Sequence, residues 1–302
     1  MYCYMLSDFL KEQYGTKLYK LLLSGGMTCP NRDGKCGFGG CIFCSSGGSG
    51  EFSQDRALSV DDQIEREKEK LKDKSKCDKY IAYFQAFSNT YASVEYLQKL
   101  YTPVVMRDDI AILSIATRPD CLSDEVIDLL IELNKIKPVW VELGLQTCNE
   151  KTAEFINRGY KNDVYEIAVG KLKRARINVI THLILGLPYE NKEDMIASAK
   201  YAGLYSDGIK FHLLYVVKGT VVADLYEKGE FELITMDEYL DILCDCIRSI
   251  PDSVVVHRLT GDPDKTSLIA PLWSADKVKV LREIHNAMYD KNVIQGEFLS
   301  KR

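Results

Sequence analysis

The sequence predicts an α/β fold of six parallel βα units, on three observations. Short apolar runs of strand character alternate with segments of helical periodicity as far as about residue 250. No low-complexity linker interrupts that rhythm, and no repeat of roughly 20 to 50 residues underlies it beyond the rhythm itself. The 302 residues are 46% apolar and 27% charged, a globular balance with ample core that excludes a disordered chain.

Strands are expected over 17–23, 80–84, 110–116, 139–145, 178–185 and 209–214. Helices are expected between and after them, over 59–74, 94–101, 123–135, 164–175, 192–205 and 235–250. Ser59 with Asp62 and Thr235 with Glu238 form capping-box patterns, in which a hydroxyl and a carboxylate three residues on satisfy the first free amides. The helix over 59–74 carries its acids early and its lysines late, which complements the helix dipole and reads as a solvated outer face. In a parallel barrel of such units the chemistry sits on the loops after the carboxyl ends of the strands.

No apolar run reaches the roughly eighteen residues of a membrane span, and the start, Met1 to Met5, lacks the basic and apolar regions of a signal peptide. A soluble, cytoplasmic protein is expected. The 39 basic and 44 acidic side chains leave a net charge of −5, so any nucleic acid must be met by a local basic patch. Ten cysteines are too few for a disulfide scaffold, and in a reducing compartment they stay free, buried or metal-bound. Cys3, Cys77, Cys121, Cys148, Cys244 and Cys246 are scattered and read as small buried apolar residues. Cys29, Cys36, Cys41 and Cys44 fall within sixteen residues, in a glycine-rich loop directly after the first strand.

A Cys-x-x-Cys pair such as Cys41 and Cys44 turns two thiolates toward one centre. Four cysteines suit structural zinc, although the gap of six residues between Cys29 and Cys36 is long for a zinc pair. Three would leave one iron of a [4Fe-4S] cluster without a protein ligand. An inert or redox-active loop is the third reading, and spacing alone leaves all three open.

Beyond spacing, the strings LSGGMTCPNRDG at 23–34, TRPD at 117–120, VELGLQ at 141–146, NRG at 157–159 and HLILGLP at 182–188 accompany the pair Cys41 and Cys44. With KFH at 210–212, KGT at 218–220, HRLTGD at 257–262 and APLW at 270–273, they resemble the radical S-adenosylmethionine (SAM) superfamily along almost the whole chain. The likeness is to a bacterial branch related to the Elongator catalytic subunit. It implies a partial (β/α)6 TIM-like barrel with an open lateral side. Residues 1–250 would form that core with a short amino-terminal extension, and 251–302 a carboxyl-terminal extension packed on it.

The resemblance further implies a [4Fe-4S] cluster on Cys29, Cys41 and Cys44, with Cys36 a bystander in a first gap longer than the usual three residues. S-adenosyl-L-methionine would chelate the open iron, and its reductive cleavage would yield a 5′-deoxyadenosyl radical that takes hydrogen from the substrate. Gln85 and Ser88 stand where relatives bind the methionine amino group with a Gly-Gly-Glu segment. Glu142 and Gln146 would meet the ribose and methionine end, or one of them would cap the next helix. Arg158 would fork onto the SAM carboxylate or, alternatively, end a helix as a dipole-completing cation. Leu185, Gly186 and Pro188 would border the adenine. A flavodoxin or ferredoxin is the expected electron donor.

His182, alone in an apolar strand, reads as a satisfied core residue. Lys210 and His212 share strand parity, and if that face is inward they are candidate substrate contacts. The Elongator likeness points to a tRNA wobble uridine as substrate, with DNA not expected. The basic stretch 171–176 supports RNA weakly, because Val164, Ala168, Leu172 and Ala175 also make it the solvent side of an amphipathic helix. A peptide or small metabolite is the alternative substrate, and a non-catalytic zinc- or cluster-binding module the alternative of another class. Cys244 and Cys246 face different directions in a helix, so no auxiliary cluster is expected.

Overall fold

The computed structural model describes residues 2–48, 50, 53–72 and 77–299; the expected helix end at Lys74 lies outside them. Helix α1 (Leu6–Tyr14) precedes strand β1 (Tyr19–Leu23), and α2 (Val60–Leu71), β2 (Tyr80–Phe84), α3 (Val94–Met106) and β3 (Ile110–Thr117) follow. Next come α4 (Asp124–Ile136), β4 (Val139–Gln146), α5 (Glu150–Phe155), α6 (Asn162–Arg174), β5 (Asn178–Leu185), α7 (Lys192–Tyr205) and β6 (Gly208–Leu213). The chain continues with β7 (Val216–Val217), α8 (Val221–Glu227), α9 (Met236–Arg248), β8 (Val255–Arg258), β9 (Leu268–Ala270) and α10 (Lys277–Asp290). No helix among the described residues is long and apolar enough to cross a membrane.

Seven strands form one parallel sheet in the order β1-β2-β3-β4-β5-β6-β8, while β7 and β9 make a small antiparallel pair. The six expected units are all present, and β8 adds a seventh strand from within the segment expected as an extension. In a flat sheet β1 and β4 would stand about 14 Å apart. Lys20 of β1 instead reaches Glu142 of β4 at 3.0 Å, so the sheet is curled into a half-barrel.

Strand parity divides the layers. Leu21, Leu23, Phe84, Leu113, Ile115, Val141, Leu143, Ile209 and Phe211 face outward into the main core, where the helices cover them. The floor of the half-barrel is apolar: Leu18, Ile81, Ile112, Trp140 and Ile180 pack with Leu10 of α1, and Phe9 meets Trp140 at 6.0 Å between ring centroids.

Both sheet edges are covered. Glu67 of α2 accepts from the Leu22 amide at 3.1 Å, and Gln63 exchanges hydrogen bonds with the main chain of Ser24 at 2.8 and 3.1 Å. The expected solvated face of this helix therefore excludes Gln63, Ile64 and Glu67, which are buried. At the other edge, the Val256 amide donates to the Tyr4 carbonyl at 2.7 Å. Thr235 and Glu238 form a complete capping box, whereas Asp62 accepts from the Ser59 hydroxyl and leaves that box half made.

Candidate functional site

The cysteine loop leaves β1 and folds over the open end of the half-barrel. Glycine is required at two of its positions. A Cβ on Gly37 would stand 2.1 Å from Asn31 Oδ1, and Gly40 adopts φ +84° with Arg32 packed against it. The fully buried Asn31 donates to the Asn157 carbonyl at 2.6 Å and lies 3.8 Å from Cys41 Sγ. Asn157 Nδ2 returns a bond to the Gly40 carbonyl at 2.8 Å, and Arg32 donates to the carbonyls of Cys44 and Ser45 at 3.1 and 2.5 Å. The strings at 23–34 and 157–159, far apart in sequence, thus clasp one loop.

Cys29, Cys41 and Cys44 line a cavity of about 820 Å³ inside the half-barrel. Cys36 is exposed, with its sulfur 3.6 Å from the Arg118 guanidinium, and is not part of the cavity wall. Burial pushes the Cys41 thiol up to about 12, with nearby Cys44 and Cys29 adding to the rise and Arg118 opposing it. Three thiols on one cavity wall suit a cubane, in which each thiolate would take a different iron and the bound metal would favour deprotonation. Among the described residues no three His, Cys, Asp or Glu side chains converge on a point for a single ion.

Gln85, Ser88 and Gln146 line the same cavity. Gln146 ends β4 at φ +64°, and its carboxamide nitrogen folds back toward the carbonyls of Gly144 and Leu145 at 3.3 and 3.1 Å. Arg158 lines the cavity too, but its five N–H groups go to the carbonyls of Tyr160, Leu145 and Thr147, to Asn162 Oδ1 and to Glu150, at 2.8 to 3.5 Å. None is left for a SAM carboxylate, so the expected fork gives way to a structural role that pins the loop after β4. Leu185 turns outward into the main core, and Ile184 takes the cavity wall in its place. Gly186 packs under Ile234, whose nearest carbon would lie 3.0 Å from a Cβ, and neither Gly186 nor Pro188 reaches the cavity.

Glu142 neither caps a helix nor has spare acceptor sites for a ribose. Fully buried, it accepts from Lys20 at 3.0 Å, Ser114 at 2.7 Å, His182 at 2.7 Å and Lys210. Burial alone would raise its carboxyl, but the Lys20 and Lys210 charges and the His182 hydrogen bond outweigh that and hold it well below the usual carboxylate range. Lys210 also donates to Tyr83 at 3.1 Å. His182 therefore belongs to the cavity wall rather than the core, and burial holds its imidazole down at about 4. Lys210 and His212 both face inward, His212 with its ring 5.2 Å from that of His182.

Sequence reasoning missed Lys20, Tyr83, Ser114 and Arg258. The available signal was parity for the first three, each at an inward position of its strand, whereas Arg258 shares the parity of outward-facing Val256 and reaches the cavity through the register shift between β6 and β8. A single lysine or tyrosine in a strand carries no such message until the partner strands are known.

The pattern of the Radical SAM superfamily matches residues 32–202, and that of the Radical_SAM C-terminal domain matches 206–290. The Bacillus subtilis (strain 168) protein YtqA is 44% identical over 297 residues, 98% of this chain and 92% of that protein. A tRNA uridine(34) acetyltransferase of Methanocaldococcus jannaschii is 25% identical over 204 residues, 60% of this chain and 37% of that protein. The solved structure of Methanocaldococcus infernus Elp3, lacking its N-terminus, shares the fold with a TM-score of 0.66 at 19% identity, over 77% of this chain and 59% of that one. Matched over more than half its length and placing three cysteines of its βα loop on the barrel cavity, the chain belongs to the radical SAM superfamily, whose enzymes use a [4Fe-4S] cluster and S-adenosyl-L-methionine.

Proposed function

We propose that this radical SAM enzyme holds its cluster on Cys29, Cys41 and Cys44 and modifies a tRNA at the wobble uridine side chain. The cluster assignment is carried by one observation: these three thiols line the cavity while Cys36 stands outside it. The bound cluster and SAM supply a reductively generated carbon radical. The chain's residues do the rest: Gln85, Ser88 and Gln146 offer polar groups at the mouth, and the buried layer around Glu142 shapes the space below. Radical SAM enzymes need a reductant, and a flavodoxin or ferredoxin fits that need.

The tRNA reading is supported by the Methanocaldococcus jannaschii relative, a tRNA uridine(34) acetyltransferase, and by the fold shared with Elp3. In the basic stretch 171–176, Lys171 pairs with Asp124 at 2.7 Å and Lys173 with Asp207 at 2.5 Å, while Arg174 and Arg176 make no ion pair among the described residues. Comparing modified nucleosides in bulk tRNA from a deletion strain and its parent tests the substrate. Loss or accumulation of one modified uridine is the expected result, and an unchanged profile would sink the RNA reading.

A further inference from the structure

The inner wall of the half-barrel carries more positive charge than its own acids use. Lys20 and Lys210 share Glu142, and Arg258 at the end of β8 stands level with Lys210 in the ladder. The Arg258 side chain is half-buried on the cavity wall and makes no ion pair or hydrogen bond among the described residues. The carboxylates on that wall are all engaged elsewhere. Glu67 takes the Leu22 amide and Lys70, Asp262 pairs with Lys277 at 2.7 Å, Asp264 accepts from Thr266, and Glu142 has the four donors already described.

Next to this unmatched guanidinium is a ring nitrogen without a partner, which donates in the Nε2–H tautomer. His212 Nε2 is buried with no hydrogen-bond partner. His212 lies on the same face of β6 as Lys210 and two residues, about 7 Å, further toward the mouth. The Arg258 charge is felt by His212 and by Tyr83, which sets these groups around one part of the chamber. A guanidinium presents its donors as a planar fork that matches two oxygens of a carboxylate or phosphate. A buried polar nitrogen without a partner costs stability unless a ligand satisfies it.

We propose that Arg258 and His212 form a seat for an oxyanion of the substrate, a carboxylate or a phosphate, with Lys20 and Lys210 supplying the surrounding positive potential. The proposal rests on the cavity being the substrate chamber of a radical SAM enzyme. It adds the chemical class of the group held at mid-depth, on the last strand of the sheet rather than on the loop after the first.

Calorimetric titration of the cluster-loaded protein with malonate, and separately with inorganic phosphate, tests it, with sodium chloride at matched ionic strength as control. Saturable binding of one probe is expected, and which probe binds identifies the anion. Arg258→Met should weaken that binding about tenfold or more, and Arg258→Lys should restore part of it. Iron content and the ligand-free melting curve report whether each variant is folded and loaded, and Arg258→Lys carries the test if Arg258→Met is not. Three results overturn the seat: neither probe binds, the affinity is unchanged in a folded Arg258 variant, or saturating SAM abolishes the binding. A protein that neither holds a cluster nor cleaves SAM, yet binds malonate through Arg258, would overturn the radical reading and leave the seat standing.

Discussion

The cysteine loop and the polar layer inside the half-barrel build their chemistry in opposite ways. The loop gathers its reactive groups from sixteen consecutive residues, on irregular backbone that glycine makes possible. The inner layer takes one side chain from each of the first six strands: Lys20 from β1, Tyr83 from β2, Ser114 from β3, Glu142 from β4, His182 from β5 and Lys210 from β6. In the loop, proximity in sequence brings the groups together. In the layer, only the curl of the sheet does so. A loop site can therefore be altered residue by residue, whereas the layer is one electrostatic unit in which each group depends on the others.

The largest expected effect separates the two regions at once. Replacing Cys29, Cys41 or Cys44 by Ala should reduce iron from about four per chain to near zero, while Cys36→Ala keeps the full complement and all four variants keep the wild-type fold. Iron assay and circular dichroism after anaerobic reconstitution check this, and loss of cluster in Cys36→Ala would reassign the ligands. The layer should behave in reverse. Glu142→Gln leaves Lys20 and Lys210 without their shared carboxylate and should cost on the order of 3 kcal/mol, read as a lower urea midpoint. An unchanged midpoint would show that the layer is not a unit.

A smaller effect concerns pH. Burial holds His182 down at about 4, with the Lys210 charge adding to it, and holds His212 and His257 well below the ordinary imidazole value. In the unfolded chain these groups titrate near 6.5, so below that pH the unfolded state takes up protons that the folded state refuses. Stability should be full above about pH 6.5 and fall as pH drops toward 4. Thermal midpoints at several pH values should show a shallower decline in His182→Gln than in wild type, and the same slope in Cys36→Ala as in wild type.

The same contrast explains which features are legible in the sequence. The six βα units and the clustered cysteines were legible because periodicity and spacing are local properties. Lys210 and His212 were placed on one face by parity alone, and the face proved to be the inner one. Arg158 and Glu142 were named for contacts they cannot make, because a sequence shows a charged residue but not which neighbours already occupy it. The run around His257 has strand character, but its place as β8, a seventh strand beside β6, is a tertiary fact that four residues do not announce.

The covering of the two sheet edges has a consequence for how an open barrel persists. An unclosed sheet offers main-chain groups at both ends to any passing strand, a route to pairing between chains. Here the β1 edge is occupied by the side chains of Gln63 and Glu67, and the β8 edge by the chain's own residues near Tyr4. The half-barrel can thus stay unclosed without recruiting another copy of itself as an eighth strand.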